Sequence, residues 1–429
     1  MPIVLVVLIS MLGRENIMFR QKGVCCLGRY LTGILLTVFC IGISSVWAQD
    51  SFEDYKKQYQ EGYQKYLENI ENGVANSEED YEKYREAFEK EYKAFKEEML
   101  QKWGDFKERS KKQWVEYKEN GNLRISTDFE KGSGQVEVIT GSKEEAEKVK
   151  EEMPKKVSEA MKFKGTREGF ETENVPNKEI TKEAVLADQL NKPEDQPVDE
   201  YAKEVAEKNT KTKEVQGDDG ETRYVVYVNF QLSDDHMQKR AEKVENFIYK
   251  FSSQHDIDPA LVFAIIHVES HFNPTAASHA NAYGLMQLVP TTGGRDAYRR
   301  IFNEDGIPTK EFLFQPDNNI QMGTTFIDIM ESNYFDRAED EITREYLIIC
   351  AYNTGAGNVS VAYTGDTNLS NAFSKINSMS PEENYKHLRE NLEYAEARNY
   401  LKKVTTQRER YNKWKRQVEE DQGLFLNSF

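Results

Sequence analysis

The sequence reads Asp258-Pro259-Ala260-Leu261-Val262-Phe263-Ala264-Ile265-Ile266-His267-Val268-Glu269-Ser270 at the point that decides its fold. Asp258 is a good N-cap and Pro259 suits the first helical position, so a helix is predicted to begin here. Its residues from 261 to 268 are apolar on nearly every side, which predicts a helix surrounded by protein. Phe272-Asn273-Pro274 then ends the pattern.

Glu269 is the only acidic residue inside this helix, and it stands at the helix end. A carboxylate packed against apolar groups has its charged form disfavoured, so its pKa rises. A carboxylic acid that stays protonated near neutral pH can serve as a general acid. The alternative is a helix-end glutamate that points to water, because perturbed carboxylates mark functional sites only in a statistical sense.

Further motifs follow Glu269 in order along the chain. They are Ser278, Gly284-Leu285-Met286-Gln287, Ala351-Tyr352-Asn353 and Glu396-Ala397-Arg398-Asn399-Tyr400. This ordered set resembles the catalytic domain of lytic murein transglycosylases with a goose-lysozyme-like fold, the SLT family. The phrase Glu269-Ser270-His271-Phe272-Asn273-Pro274 fits that family's Glu-Ser-x-Phe-x-Pro pattern.

The resemblance implies a mainly α-helical fold class with a lysozyme-like catalytic domain, which we place at residues 233–410. A charged helical tail is predicted to follow at residues 411–429. Membrane-bound members of the family carry a separate N-terminal domain, and residues 120–232 resemble that domain in order and position. The chain is therefore predicted to have a small α+β domain before the catalytic one.

The α+β prediction depends on patterns within residues 120–232. Residues 122–129 and 135–140 alternate apolar and polar side chains around Lys131-Gly132-Ser133-Gly134, which predicts a hairpin. A charged helix is predicted from about residue 142 to residue 161, and a strand at residues 224–230. Between them, the polar stretch from Lys164 to Gly220 is predicted to contain a loop around Pro193 and Pro197.

Residues 51–118 carry aromatic side chains at three- and four-residue steps on either side of Glu71-Asn72-Gly73. This spacing predicts two amphipathic helices that form a hairpin or coiled-coil arm. Ser77-Glu78-Glu79-Asp80 resembles a capping box at the start of the second helix. The alternative is that the aromatic rings stack on sugars or bind a wall or envelope partner.

The chemistry follows from the resemblance, since no second carboxylate can be assigned by motif as partner to Glu269. The family's substrate is the peptidoglycan glycan strand, cleaved between N-acetylmuramic acid and N-acetylglucosamine. By this resemblance Glu269 protonates the leaving oxygen and then takes the proton of the C6 hydroxyl, which attacks C1. The N-acetyl carbonyl of the substrate stabilises the developing cation, and the product is a 1,6-anhydro sugar.

Six further residues are implied in substrate binding. They are Ser278, Met286, Gln287, Tyr352, Asn353 and Tyr400. The resemblance puts the Ser278 hydroxyl beside the Glu269 carboxyl and the Tyr400 phenol over the site, while Gln287 offers an amide to the acetamido or peptide groups. The alternative for Ser278 is a turn serine, and that for Met286 and Gln287 is an ordinary turn. Tyr352 and Asn353 could instead form a helix C-cap, and Tyr400 could be a half-buried helix tyrosine.

Two other functions stay open. One is a hydrolytic lysozyme of goose type, and the other is a non-catalytic wall-binding protein. No cofactor is predicted. No metal is predicted either, because His267 and His271 flank Glu269 without the His-Glu-x-x-His order and without a third ligand.

The formal net charge of −17 argues against nucleic acid as a partner. Residues 1–48 predict an export signal, with Met18 as an alternative start, an apolar stretch from Leu31 to Ser45 and cleavage after Ala48. Phe39 is a poor neighbour for lipidation of Cys40, so a periplasmic enzyme without a stable membrane anchor is favoured over an outer-membrane lipoprotein. Cys350 is then left as a buried thiol.

Overall fold

Five antiparallel strands form the centre of the N-terminal half in the computed structural model, which describes residues 74–75, 77–166, 169–170 and 179–421. The strands are β2 (Gln113–Lys118), β3 (Leu123–Asp128), β4 (Ser133–Thr140), β7 (Lys211–Gln216) and β8 (Thr222–Gln231), in the sheet order β2-β3-β4-β8-β7. The predicted hairpin and the predicted strand near residue 224 are confirmed. The predicted signal and the first arm helix lie outside the described residues.

Helices cover both faces of this sheet. Helix α1 (Glu78–Trp103) lies on one face and packs Phe95, Met99 and Trp103 against it. On the other face lie α2 (Lys143–Met161) and α3 (Val198–Asn209). Neighbouring residues of one strand, such as Trp114 and Val115, therefore belong to different cores, as the two-residue period of a strand requires.

Helix α1 is the second helix of the predicted arm. Its N-cap is confirmed, because the Ser77 hydroxyl accepts from the Asp80 amide, and the helix ends at Gly104 with a φ of 69°. In the described residues Phe88, Tyr92, Phe95 and Trp103 pack on the sheet, while Tyr81 packs with Ala75 and Ile307. The predicted arm also included residues 113–118, and this part of the prediction is wrong, because they pair with β3 as an antiparallel strand.

The polar stretch from residue 164 to residue 220 holds more structure than its composition indicates. It contains β5 (Lys164–Thr166), β6 (Glu179–Ala184), α3 and β7. Strand β7 is polar because it is an edge strand with exposed side chains. Helix α3 needs few apolar residues, since Tyr201, Ala202 and Ala206 suffice for its single buried face.

The C-terminal half is helical. Its elements are α4 (His236–Gln254), α5 (Pro259–Ser270), a π-helical turn (Pro290–Gly294), α6 (Arg295–Phe302), β9 (Ile307–Pro308), α7 (Lys310–Leu313), α8 (Pro316–Ile329), a second π-helical turn (Met330–Tyr334), α9 (Glu341–Thr354), α10 (Ala356–Thr364), α11 (Leu369–Asn377), α12 (Pro381–Asn391) and α13 (Ala395–Asp421). Helix α5 is the central one, and residues 260–267 are all buried. The prediction of a helix surrounded by protein is confirmed.

The last helix differs from the prediction of a separate tail at residues 411–429. Helix α13 runs without a break for 27 residues. Tyr411 stacks on Phe263 of α5 with ring centroids 5.1 Å apart, and Trp414 meets the same ring edge-on at 5.5 Å. These two aromatic residues continue the apolar face past residue 410, so this part of the predicted tail packs against α5.

The two halves contact each other at several points. Strand β1 (Val74–Ala75) pairs with β9. The buried guanidinium of Arg240 in α4 donates to the Gln189 side chain at 2.5 Å, to the Phe129 carbonyl at 3.4 Å and to the His271 carbonyl at 2.9 Å. Burial lowers the pKa of Arg240 to about 9. One side chain therefore connects the N-terminal sheet to the end of α5.

Candidate active site

Glu269 occupies the last turn of α5, and its side chain is only 5 % exposed. The Asp258 side chain caps the other end of the helix by accepting from the Ala260 amide at 3.0 Å. His271 and Phe272 follow Glu269 with φ angles of 53° and 59°, in the left-handed region. The chain therefore turns sharply directly after the buried carboxylate.

Three polar groups from distant parts of the chain face the Glu269 carboxylate. The Lys111 ammonium donates to Oε2 at 2.7 Å. The phenols of Tyr352 in α9 and Tyr400 in α13 also face it, and burial together with the Glu269 charge raises the pKa of both phenols well above 10.0. Both tyrosines are therefore neutral hydrogen-bond donors next to a carboxylate.

The two phenols differ in what they bind. Tyr352 Oη donates to the Met286 carbonyl at 2.7 Å, which fixes its ring against the loop before the first π-helical turn. Tyr400 is buried, and its hydroxyl makes no hydrogen bond of regular geometry within the described residues. The Tyr400 hydroxyl is thus available to the carboxylate or to a bound ligand.

The Gly284-Leu285-Met286-Gln287 loop is built around a buried asparagine. Asn319 of α8 accepts from the Met286 amide at 2.7 Å and donates to the carbonyls of Tyr283 and Leu313. Gly284 has a φ of 79°, and a Cβ there would lie 2.1 Å from the Leu313 oxygen, so only glycine fits. Asn319 was not predicted from the sequence. The pattern that could have indicated it is an amide side chain on the buried face of α8.

Gln287 and Met286 take different places from those expected. The Gln287 side-chain nitrogen donates to the carbonyls of Ala276 and Gly284, while its Oε1 is buried without a partner in the described part of the chain. Met286 is fully buried in the core, with its sulfur near Gly323. Gln287 therefore holds its loop together, and Met286 supports the loop from behind.

Ser278 organises its own loop. Its Oγ accepts from the amides of Ala280 at 3.3 Å and Ala282 at 3.1 Å, and the described structure shows no hydrogen bond from Ser278 to Glu269. Ser278 instead lies at the rim of a cavity of about 230 Å³ between α1, β2 and its own loop. Asn353 is half-buried beside Tyr352 at the end of α9, which Gly355 caps with a φ of 85°.

The histidines around Glu269 are buried and neutral. Burial is the main cause that lowers the pKa of His267 to about 3 and that of His271 to about 4. The His267 ring lies 2.9 Å from the Tyr411 hydroxyl. In the described ranges no group of three His, Cys, Asp or Glu side chains is placed to hold a metal ion. Cys350 is buried, and burial raises the pKa of its thiol.

Comparison with known proteins gives two family matches. Residues 246–372 match the family described as "Transglycosylase SLT domain". Residues 81–243 match "Membrane-bound lytic murein transglycosylase C, N-terminal domain". The second match includes most of α1 as well as the sheet and its helices, and the first spans α5, the loop that holds Gln287 and helix α9 with Tyr352.

Curated relatives carry the same name. Membrane-bound lytic murein transglycosylase C from Haemophilus ducreyi is 38 % identical over 212 residues, which are 49 % of this chain and 56 % of that protein. The protein of that name from Klebsiella pneumoniae is 37 % identical over 191 residues, or 44 % and 52 % of the two chains. The chain thus spans about half the length of the curated relatives it matches.

Solved structures are more distant. The 70 kDa soluble lytic transglycosylase from Escherichia coli is 22 % identical, with a TM-score of 0.31 over 39 % of this chain and 24 % of that one. An inactive mutant of lytic transglycosylase Slt from Pseudomonas aeruginosa is also 22 % identical, with a TM-score of 0.29 over 38 % and 23 % of the chains.

The two family matches together cover well over half of this sequence, and they lie in the same order as the two halves of the structure. The curated relatives agree with both matches. Residues 246–372 are thus similar to the SLT domain of lytic murein transglycosylases, and residues 81–243 are similar to the N-terminal domain of membrane-bound lytic murein transglycosylase C.

Proposed function

We propose that this protein is a peptidoglycan lytic transglycosylase that cleaves the β-1,4 bond between N-acetylmuramic acid and N-acetylglucosamine. The observation that supports the proposal is the position of Glu269, a buried carboxylate faced by two neutral phenols at the end of the helix that the SLT match includes. Such a carboxyl group can serve first as a general acid and then as a general base toward a bound sugar.

In the proposed reaction Glu269 acts twice. As an acid it gives its proton to the glycosidic oxygen, and the bond from that oxygen to C1 breaks. The acetamido carbonyl of the substrate stabilises the cation at C1. As a carboxylate Glu269 then accepts the C6 hydroxyl proton, and O6 forms the new bond to C1. The proton is returned, no water is consumed, and the product is a 1,6-anhydro sugar.

The neighbouring side chains have matching roles in this proposal. Tyr400 donates a hydrogen bond to the Glu269 carboxylate formed after the first proton transfer, because its buried hydroxyl has no competing partner in the described residues. Tyr352 holds the Met286 carbonyl and so fixes the cleft wall. Gln287 holds its loop through the carbonyls of Ala276 and Gly284 and so shapes the wall beside the site. Ser278 and Asn353 line the approach.

The test is mass spectrometry of the fragments released from purified sacculi. The proposal predicts muropeptides that end in 1,6-anhydro-N-acetylmuramic acid and lack one water relative to hydrolysis products. Fragments with a free reducing end would show a hydrolytic lysozyme instead. Intact sacculi, with binding but no release, would show a wall-binding protein.

We also propose export to the periplasm. The pattern that supports it is the basic and apolar stretch from Met18 to Ala48, while the relatives are named membrane-bound. In the part of the chain that the structure describes, no helix is both long and apolar enough to cross a bilayer. Cell fractionation with N-terminal sequencing tests the proposal: a mature chain that begins at Gln49 supports it, and one that begins at an acylated Cys40 corrects it.

A further inference from the structure

A lysine from the N-terminal half reaches the candidate catalytic carboxylate. Lys111 lies in the loop between α1 and β2, and its Nζ is 2.7 Å from Oε2 of Glu269, a residue 158 positions later in the chain. Within the described residues this is the ion pair that the structure shows on Glu269. The site at the end of α5 therefore includes a cation from the other half of the molecule.

The backbone that carries Lys111 is held firmly by the sheet. The Ser110 amide donates to the Gln113 carbonyl at 3.0 Å, and the Ser110 hydroxyl accepts from the amides of Lys112 and Gln113. The Lys112 carbonyl accepts from the Phe129 amide at 2.9 Å. A tight turn paired with the end of β3 thus fixes the point from which the Lys111 side chain extends.

The side chain itself is much less constrained than its backbone. Lys111 is 36 % exposed, whereas its partner Glu269 is 5 % exposed. A lysine ammonium stands on four methylene groups and has three donors without a fixed plane, so it can move from one acceptor to another with little backbone change. Of the two partners, Lys111 is the one that a ligand entering the cleft can displace.

The ion pair opposes the first step of the proposed reaction. An ammonium at this distance stabilises the ionised form of a carboxylate. General acid catalysis requires the protonated form. The phenols of Tyr352 and Tyr400, which face Glu269, are neutral. Burial lowers the pKa values of nearby His267 and His271, so these two rings carry no charge near neutral pH.

We propose that Lys111 is a positioning residue that pairs with the Glu269 carboxylate and holds its orientation before substrate arrives, and that a glycan strand displaces it on binding. This inference rests on the proposed function and adds a resident cation to it. Displacement by the sugar leaves the buried carboxyl without its ammonium, and a proton taken from solvent as the strand enters then gives Glu269 the acid form that protonates the glycosidic oxygen. The N-terminal half thereby makes acid formation depend on bound substrate.

The test compares Lys111→Met with wild type in the full-length protein on soluble glycan strands over a range of pH. The pH profile of kcat/KM reports the free enzyme, and that of kcat reports the bound complex. The alkaline limb of kcat/KM is expected to move upward by about one to three pH units, the range for loss of an adjacent opposite charge. The alkaline limb of kcat is expected to stay where it is in wild type.

Two further variants serve as controls. Lys112→Met removes the same charge from the neighbouring residue, which pairs with Glu130 and not with Glu269, so both limbs should stay in place. Lys111→Arg keeps a cation and should hold the kcat/KM limb near its wild-type position. Circular dichroism shows whether each variant is folded.

An unchanged kcat/KM limb in folded Lys111→Met would overturn the proposal. So would an equal shift in Lys112→Met, or an equal loss of kcat at every pH, which would mean that Lys111 acts in the bound complex. These outcomes are separate from failure of the proposed function. In that case wild type itself would release no anhydro-muropeptides, whatever Lys111 does.

Discussion

Two buried carboxylates of this molecule have opposite surroundings. Glu137 in the N-terminal sheet is fully buried, and three cations reach it: Arg124 at 2.8 Å, Lys107 at 2.6 Å and Lys213 at 3.6 Å. Although burial acts to raise its pKa, Arg124 and Lys107 hold the pKa of Glu137 below the ordinary value. Glu269 instead has one flexible lysine and two neutral phenols.

The difference shows how one residue type is used for structure and for chemistry. Arg124 is 1 % exposed and stacks on the Trp103 ring at 4.2 Å, so this charge is held in place beside Glu137. A carboxylate held in this way stays ionised and contributes specificity of packing. A carboxylate that must gain and lose a proton needs partners that can move or that carry no charge, as at Glu269.

The largest expected effect follows from changing Glu269. Glu269→Gln keeps the size of the side chain but cannot donate the acid's proton. Loss of a general acid and base costs about 10²–10⁴-fold in rate, and the top of that range is expected because one residue serves both steps. Release of anhydro-muropeptides from sacculi measures it. Residual activity above about one per cent of wild type, in a protein folded by circular dichroism, would contradict the assignment.

The matched change in the sheet should act on stability alone. Glu137→Gln leaves buried Arg124 without its main counter-charge, and breaking a buried ion pair costs about 3–5 kcal/mol. Urea unfolding followed by circular dichroism measures this loss. The rate of the fraction that remains folded should equal that of wild type. A stable Glu137→Gln protein, or one that is folded and inactive, would remove the distinction between the two carboxylates.

Two tyrosine variants are expected to have smaller effects than the carboxylate variants. Tyr400→Phe removes a hydroxyl without a regular hydrogen bond in the described residues, so stability should hold, while loss of one donor to a developing charge costs about 10²-fold in kcat. Tyr363→Phe is the control, because the Tyr363 hydroxyl donates to Asn384 at 2.8 Å in the core. That variant should lose about 1 kcal/mol of stability and no activity. Equal rates for the two variants would exclude a role for the Tyr400 hydroxyl.

A third carboxylate, that of the half-buried Glu345, has surroundings between those of Glu137 and Glu269. Glu345 lies 3.0 Å from Arg408, and burial raises its pKa to about 7. A raised pKa means that the folded state binds the proton more tightly than the unfolded chain, so stability falls as pH rises from about 4.5 to about 7. Glu345→Gln should not show this fall. The difference in unfolding free energy between variant and wild type should shift in favour of the variant by about 2 kcal/mol over that interval.

Denaturant unfolding of both proteins at several pH values tests this last prediction. The offset between the two proteins at low pH is unimportant, because only its change with pH reports Glu345. Parallel stability curves from pH 4.5 to pH 8 would mean that Arg408 compensates for burial of the ionised carboxylate.

Local signals in the sequence were sufficient for α5 and for the hairpin. The cap at Asp258, the proline after it and the apolar run act within a few residues, and the structure forms the helix they predict. The same holds for Lys131-Gly132-Ser133-Gly134, where alternation on both sides predicts two paired strands. Prediction succeeded where interactions between residues close in sequence decide the structure.

Prediction failed where a distant partner decides. Residues 113–118 are a strand because β3 pairs with them, and the preceding aromatic spacing favoured a continued helix. The place of Ser278 beside Glu269 stays a prediction from family resemblance, and its hydroxyl accepts from the Ala280 and Ala282 amides of its own loop. Lys111 reaches Glu269 only because the sheet presents its turn to the end of α5, and no spacing in the sequence indicates that contact.

The Arg240 guanidinium has a consequence for how such a chain can be recombined. It spans from the Phe129 carbonyl to the His271 carbonyl, directly after the last turn of α5. A chimera that joins this helical half to an unrelated first domain would strand a buried cation and lose Lys111 in the same exchange. Both the acceptors of Arg240 and the lysine on Glu269 are therefore retained only when the two halves are transferred together.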